Sequence, residues 1–468
     1  MRQRLREWYR ESSAKKGEKR AELDVTTCFA PLVMWVLSWW ESDERRLAVA
    51  LDASTLGQRF TVLAVCILTV FGVVITCLPS RSLAAPEEIP FAVIEPLTGP
   101  VAFAGIPGKN GAEMAVEKIN AQGGIQSLGG AKLKPIYYDT ESKPDVAKTR
   151  AEKAVNDGVV AIVGSPQSAV GMLISQVAER NKVPNIVDMG SGDFLTQRGF
   201  KYVFRIMPNN TQQTQSDLDF IANVGKAQGK PVKRVAMVYE DTASGQDGYK
   251  KVSELVSGFD MELVAGLAYP HAASDVSALV SKLKREDPDF LVMYSWANDS
   301  IMFLRTMNEM GYCPPGIIGK SFSPKVIQEV GKLSEYLYGT AYFSHEVDPP
   351  GAPKGRNQKI YDEYEEKYGT FNPLMALTYT SVMVLADALE RAGTTDRKAL
   401  RDALAETNMT GADGIIQIVE RIQFDEKGDS IYARTLVDQI RGGTKVIVYP
   451  EWAAQKAPVF PMPDWDER

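Results

Sequence analysis

From Ile89 onward, short apolar runs alternate with longer amphipathic stretches, and this rhythm limits the fold more than any other feature of the chain. Residues 89–95 read as a strand. Residues 108–122 read as a helix with Ala112, Ala115, Val116 and Ile119 on one face, stopped by Gly123 and Gly124. Strands follow at 133–139, 159–164 and 185–188, with helices at 144–157 and 168–180. Alternation of this kind builds a parallel sheet with helices on both faces. The pattern then starts again. Strands are expected at 234–239, 261–268, 290–294 and 317–319, and helices at 245–257, 275–286 and 298–310. Further helices follow at 357–368, 373–392 and 396–406. The expected fold is therefore α/β, with two lobes of similar size, which suits a chain of 468 residues. The connection at 204–210 is short and polar, so it holds the lobes face to face around a cleft that can close by hinge motion.

Composition removes several functions. The formal charge is −6 and no long basic run follows about residue 46, so the phosphate-neutralising surface needed for nucleic acid is missing. The two histidines, His271 and His345, lie far apart without metal-ligand spacing, which argues against a histidine zinc site and Ser–His catalysis. No G-x-S-x-G elbow occurs. Neither dinucleotide nor P-loop spacing is present; Gly105, Gly108 and Gly111 follow a G-x-x-G-x-x-G pattern that fits tight turns and close helix packing, or a ligand turn. Neither an enzyme nor a cofactor or metal is expected. Cys28, Cys66 and Cys77 fall in the first 85 residues, leaving Cys313, beside Pro314 and Pro315, as a packed side chain with no disulfide partner.

An uncharged apolar run spans 60–78, with Arg59 before it and Ser82-Leu83-Ala84-Ala85 after it. This is the pattern of a secretory signal at 56–85, cleaved after Ala84 or Ala85. The alternative is a retained anchor, because the run approaches the roughly 20 residues that span a bilayer. Residues 1–55 are charged without a steady apolar period, and a precursor start nearer Val49 or Leu51 is expected. The mature chain is then expected in the periplasm.

The candidate site lies at the carboxyl ends of the first strands, where open α/β sheets place ligands. Glu95 ends the first strand, and a Gly- and Thr-containing turn through Ala104 follows it. Ser168 opens a helix after Gly164-Ser165-Pro166-Gln167, offering a hydroxyl beside free N–H groups suited to a carboxylate; a plain N-cap is the other reading. Asp188, Met189, Gly190 and Ser191 repeat this arrangement after the next strand.

Four segments carry a resemblance: L-T-G-P-V-A at 97–102, N-G-A-E-M-A-V-E-K-I-N-A-Q-G-G-I at 110–125, V-G-S-P-Q-S at 163–168 and F-D-E-K-G-D at 424–429. They resemble the branched-chain amino-acid-binding family of periplasmic receptors, the type I solute-binding proteins of ABC importers, over about residues 89–449. The resemblance implies two Rossmann-like lobes joined by three crossovers, near 206–210, 338–345 and 420–432, with the ligand in the interlobe cleft. It assigns 86–207 and 341–421 to the first lobe and 208–340 and 422–452 to the second, leaving 453–468 as a tail. It implies ABC permease and ATPase subunits as partners. It also places carboxylate contacts on Ser168, on the Met189 backbone and on Ser191. The family's ammonium-binding Glu falls on Ser321, its neighbouring Tyr on Trp296, a second-lobe Tyr near Ser244 and a first-lobe aromatic near Ala104. Losing that Glu matters, since a buried ammonium without a carboxylate costs several kcal/mol. Either Glu95 or Asp188 replaces it, or the ligand is an aromatic or aliphatic acid lying on Trp296. Turn bonding for the two acids and core packing for Trp296 are the structural alternatives. A membrane-tethered sensor of the same fold is the competing function.

Overall fold

The computed structural model describes residues 86–468, apart from 271–272 and 321. The leader, His271 and Ser321 therefore lie outside the described residues.

The first lobe is a five-stranded parallel sheet in the order β2-β1-β3-β4-β5. Its strands are β1 (Glu88–Glu95), β2 (Lys132–Asp139), β3 (Ile162–Val163), β4 (Asn185–Val187) and β5 (Val203–Arg205). β1 is buried along nearly its whole length, as expected of an apolar run covered on both faces. The intervening helices are α1 (Ala102–Ala121), α2 (Pro144–Asn156) and α3 (Ser168–Arg180). The second lobe is a seven-stranded sheet in the order β14-β13-β10-β9-β8-β6-β7. Strands β6 (Arg234–Glu240), β7 (Glu262–Tyr269), β8 (Phe290–Tyr294), β9 (Ile317–Gly319) and β10 (Tyr338–Ala341) run parallel. β13 (Leu436–Arg441) and β14 (Thr444–Tyr449) close the edge antiparallel. Around this sheet run α4 (Asn210–Ala227), α5 (Ala243–Leu255), α6 (Ser277–Glu286), α7 (Ala297–Glu309) and α8 (Pro324–Val330). The chain then returns to the first lobe with α9 (Arg356–Tyr368), α10 (Met375–Ala392) and α11 (Arg397–Ala405), and with a short pair, β11 (Asn408–Met409) and β12 (Ile422–Gln423). It thus passes between the lobes three times, after β5, after β10 and after β12. The last residues are not a loose tail: Phe460, Met462 and Trp465 pack into the second lobe's core.

Each sheet reverses strand order next to its first strand, at β1/β3 and at β6/β8. Crevices at such switch points are where α/β sheets hold ligands.

Two local features depart from the sequence reading. First, α1 starts at Ala102 instead of 108, with Pro107 inside it. Proline removes the N–H that would bond the carbonyl of Phe103 and normally breaks a helix. Here Asn372 Nδ2 donates to the Phe103 carbonyl at 3.2 Å, replacing the lost bond. Second, the connection at 204–210, short and polar in the sequence, is buried: Arg205, Ile206 and Asn210 are fully enclosed.

The glycines of the 105–111 pattern serve close packing. A Cβ on Gly105 would fall 2.2 Å from the Pro96 carbonyl oxygen, and one on Gly111 2.2 Å from that of Met375. The second contact lets α1 cross α10, a helix buried on most of its surface and therefore a core element.

Candidate functional site

Between the lobes lies an inner cavity of about 220 Å³. Ser168, Met189 and Ser191 face it from the first lobe together with Ala104, and Ser244 and Trp296 face it from the second. Ser168 is the first residue of α3, following Gln167 as N-cap, and its Oγ accepts a 3.0 Å bond from the Gly192 N–H. That bond ties the start of α3 to the 188–192 loop. Ser191 Oγ lies 3.3 Å from Ser244 Oγ, so the two lobes meet at the cavity through a hydroxyl pair.

The amino-terminal ends of α3, α5 and α7 all reach the cavity, through Gln167 and Ser168, Thr242 to Ser244, and Trp296. No side chain caps α3 or α7. Helix starts carry unsatisfied N–H groups and the positive end of the helix dipole, so three of them converging favour an anion.

Glu95 and Asp188 do not line the cavity. Both are fully buried beneath it. Asp188 accepts from the Met189 N–H at 2.8 Å and from Thr378 Oγ1 at 2.6 Å. The Met189 backbone donor assigned to the ligand is thus turned to its neighbour's carboxylate. Burial, with the Asp188 charge beside it, pushes Glu95 well above the usual carboxylate range. Burial also raises Asp188. Burial thus favours the neutral form of both carboxyls, and Asp188 bonds the loop through the Met189 N–H. Gly190 is likewise absent from the lining; its carbonyl accepts from Arg205 Nη1 at 3.4 Å.

Arg205 is the hub behind this loop. It is completely buried, pairs with Asp429 Oδ1 through Nε (2.9 Å) and Nη2 (2.6 Å), and donates from Nη1 to the Gly192 carbonyl at 2.7 Å. Asp429 also accepts from Thr196 Oγ1 and Asn209 Nδ2. Two of the three crossovers are therefore fastened to the loop that presents Ser191.

Several lining residues escaped the sequence reading: Gln167, Gln213, Glu240, Tyr294 and Lys320. Glu240 ends β6 and Lys320 directly follows β9, so their places at strand carboxyl ends were the available signal. Glu240 Oε2 accepts from Trp296 Nε1 at 3.1 Å, fixing the indole. Trp296 meets Phe103 of the first lobe edge-on, ring centroids 5.5 Å apart. It also borders an outer cavity of about 660 Å³ at the mouth of the cleft, so the indole stands between mouth and interior. Lys320 Nζ sits 3.2 Å from the centroid of the Tyr294 ring and 3.4 Å from Asn210 Oδ1. Burial pushes Lys320 down to about 7, against the pull of Asp217, Asp247 and Asp193. Burial pushes Asp217 up to about 7.

Two facing α/β lobes with a small cavity at their switch points define a cleft-type binding protein. Residues 88–429 match the periplasmic binding protein family, and the chain belongs to it. It is 27% identical over 390 residues to Leu/Ile/Val-binding protein homolog 7 of Brucella abortus, covering 81% of this chain and 96% of that protein. It is 28% identical over 355 residues to the leucine-, isoleucine-, valine-, threonine- and alanine-binding protein of Pseudomonas aeruginosa (75% and 89% covered). Among solved structures, a leucine-binding protein of Thermotoga maritima superposes with a TM-score of 0.63 at 25% identity, over 77% of this chain and 97% of that one. The similarity to branched-chain amino-acid-binding proteins expected from the four sequence segments is therefore found, as are the α/β class and its two lobes.

Proposed function

We propose that this chain is the solute-capturing component of an ABC importer, exported to the periplasm, which takes up a small carboxylate and presents it to permease and ATPase subunits. The first lobe comprises 86–207 and 341–421, and the second 208–340 and 422–452. The solute is an amino acid or an aliphatic or aromatic acid, and the lobes close over it. The observation that carries this reading is the convergence of Ser168, Ser191 and Ser244 with three helix starts on one cavity. At about 220 Å³ that cavity is smaller than a drug-sized pocket, in keeping with a metabolite. The similarity to leucine-binding relatives supports the same reading. Among the described residues, no helix is long and apolar enough to cross a membrane.

Calorimetry with a panel of amino acids and simple carboxylic acids tests it. At least one should bind, and Ser168→Ala should weaken it by about 1.5–3 kcal/mol, the worth of a hydrogen bond to a charged group. Unchanged affinity in Ser168→Ala removes the residue from the site, and turnover of a panel member overturns the transport role.

A further inference from the structure

We propose that Lys320 receives a second anionic group of the solute, so that the captured molecule is a small dianion, such as a dicarboxylate, with one end on each lobe. This rests on the inner cavity being the solute site.

Among the described residues, the cavity's charged lining consists of Lys320 and Glu240. Glu240 is engaged by the Trp296 indole. Lys320 has no such commitment. Among the described residues its side-chain contacts are the Tyr294 face and one long bond to the Asn210 amide oxygen, both neutral. An ammonium carries three donors, so capacity remains for an incoming acceptor. Of the carboxylates that attract Lys320 through space, Asp247 and Asp193 are held by other partners. Asp247 Oδ2 accepts from Asn210 Nδ2 at 2.7 Å and from the Asp193 N–H at 3.0 Å. Asp193 accepts from Thr211 and is paired with Lys251. No carboxylate lies within ion-pair distance of Lys320 among the described residues. Asp217, fully enclosed on α4, is pushed towards its neutral form by the same burial.

The wall opposite is anion-seeking too, through Ser168 and the start of α3. A monocarboxylate satisfies one of these walls and leaves the other facing an apolar end. A dicarboxylate satisfies both. Gln167 and Gln213 add buried amide oxygens without a partner on the cavity wall, ready for a hydroxyl or amino donor on the chain between the two acids.

The test uses pairs matched in length: pentanedioate against pentanoate, and L-glutamate against L-norvaline. Binding is measured by calorimetry to the full chain, in the wild type, Lys320→Met, Lys320→Arg and Ser168→Ala, with folding of each checked by its melting curve. In at least one pair the diacid should bind the wild type roughly tenfold or more tightly than its partner. Lys320→Met should abolish that preference while sparing the monoacid, and Lys320→Arg should keep most of it. Ser168→Ala should weaken both members of the pair. Equal or tighter monoacid binding in both pairs overturns the proposal, as does a diacid preference that survives Lys320→Met. If monoacids bind and depend on Ser168 but not on Lys320, only the dianion proposal falls. If no acid binds, or Ser168→Ala changes nothing, the carboxylate reading of the cavity falls with it.

Discussion

The loop presenting Ser191 on the first lobe is held from behind by a buried guanidinium that bonds two of the loop's own carbonyls and ties it to two crossovers, whereas on the second lobe Lys320 reaches the same cavity with a ring face and one long bond for company. In the 188–192 loop the Met189 N–H and the Gly190 and Gly192 carbonyls are bonded before any solute arrives. The second wall keeps an ammonium in a low-polarity setting, where its charge is costly, until an acceptor comes. One side thus behaves as a template and the other as the element that chooses among solutes. Both are placed by the same architecture, a helix start or turn at the carboxyl end of a strand next to a switch point.

The largest effect should come from the template. Arg205→Met leaves Asp429 as an unpaired buried carboxylate, and breaking such a pair costs roughly 3–5 kcal/mol. Urea unfolding should show this loss, and Asp429→Leu in the Arg205→Met background should recover part of it. A loss under 1 kcal/mol, by the scale of an exposed pair, would mean the first wall is no better held than the second.

Next comes packing beneath the same wall. Gly111→Ala puts a methyl against the Met375 carbonyl and should destabilise by about 1–3 kcal/mol, with solute affinity falling only through distortion of α1. On the opposite side, the Trp296 indole separates the cavity from its mouth. Trp296→Ala should speed solute release by roughly tenfold in stopped-flow measurements. Trp296→Phe, which keeps a ring and loses the bond to Glu240, should change it by only a few-fold, in line with about 1 kcal/mol per hydrogen bond.

The smallest effect at low pH belongs to Glu95. Its carboxyl is raised in the folded protein, so the native state holds a proton that the unfolded chain releases above about 4.3. Stability is then full below that pH and declines as pH rises towards the folded value. Glu95→Gln removes this slope. Melting curves should show the variant little changed at pH 4 and increasingly favoured over wild type towards neutrality. A wild type that gains on Glu95→Gln as pH rises would place Glu95 in the ionised form.

Much of the architecture could be read from residue order, because strand and helix periods are local. The start of α1 could not: Pro107 forbids it until Asn372, far along the chain, supplies the missing donor. The serines, Trp296 and Ala104 were legible through resemblance, and they do come together at the cavity. Glu95 and Asp188 have the right position along their strands, but their side chains lie under the sheet edge, a difference of facing that sequence does not encode. Lys320 and Glu240 escaped because a single charged residue at a strand end has the same pattern whether it meets solvent or a cleft.

The most direct test is a crystal structure of the protein with the solute it carries from the cell. A carboxylate bonded to Ser168 and Ser191 Oγ, enclosed between the lobes and under the Trp296 indole, is the predicted result. A solute bound outside the interlobe cavity, or one whose polar groups ignore both serines, would contradict the account.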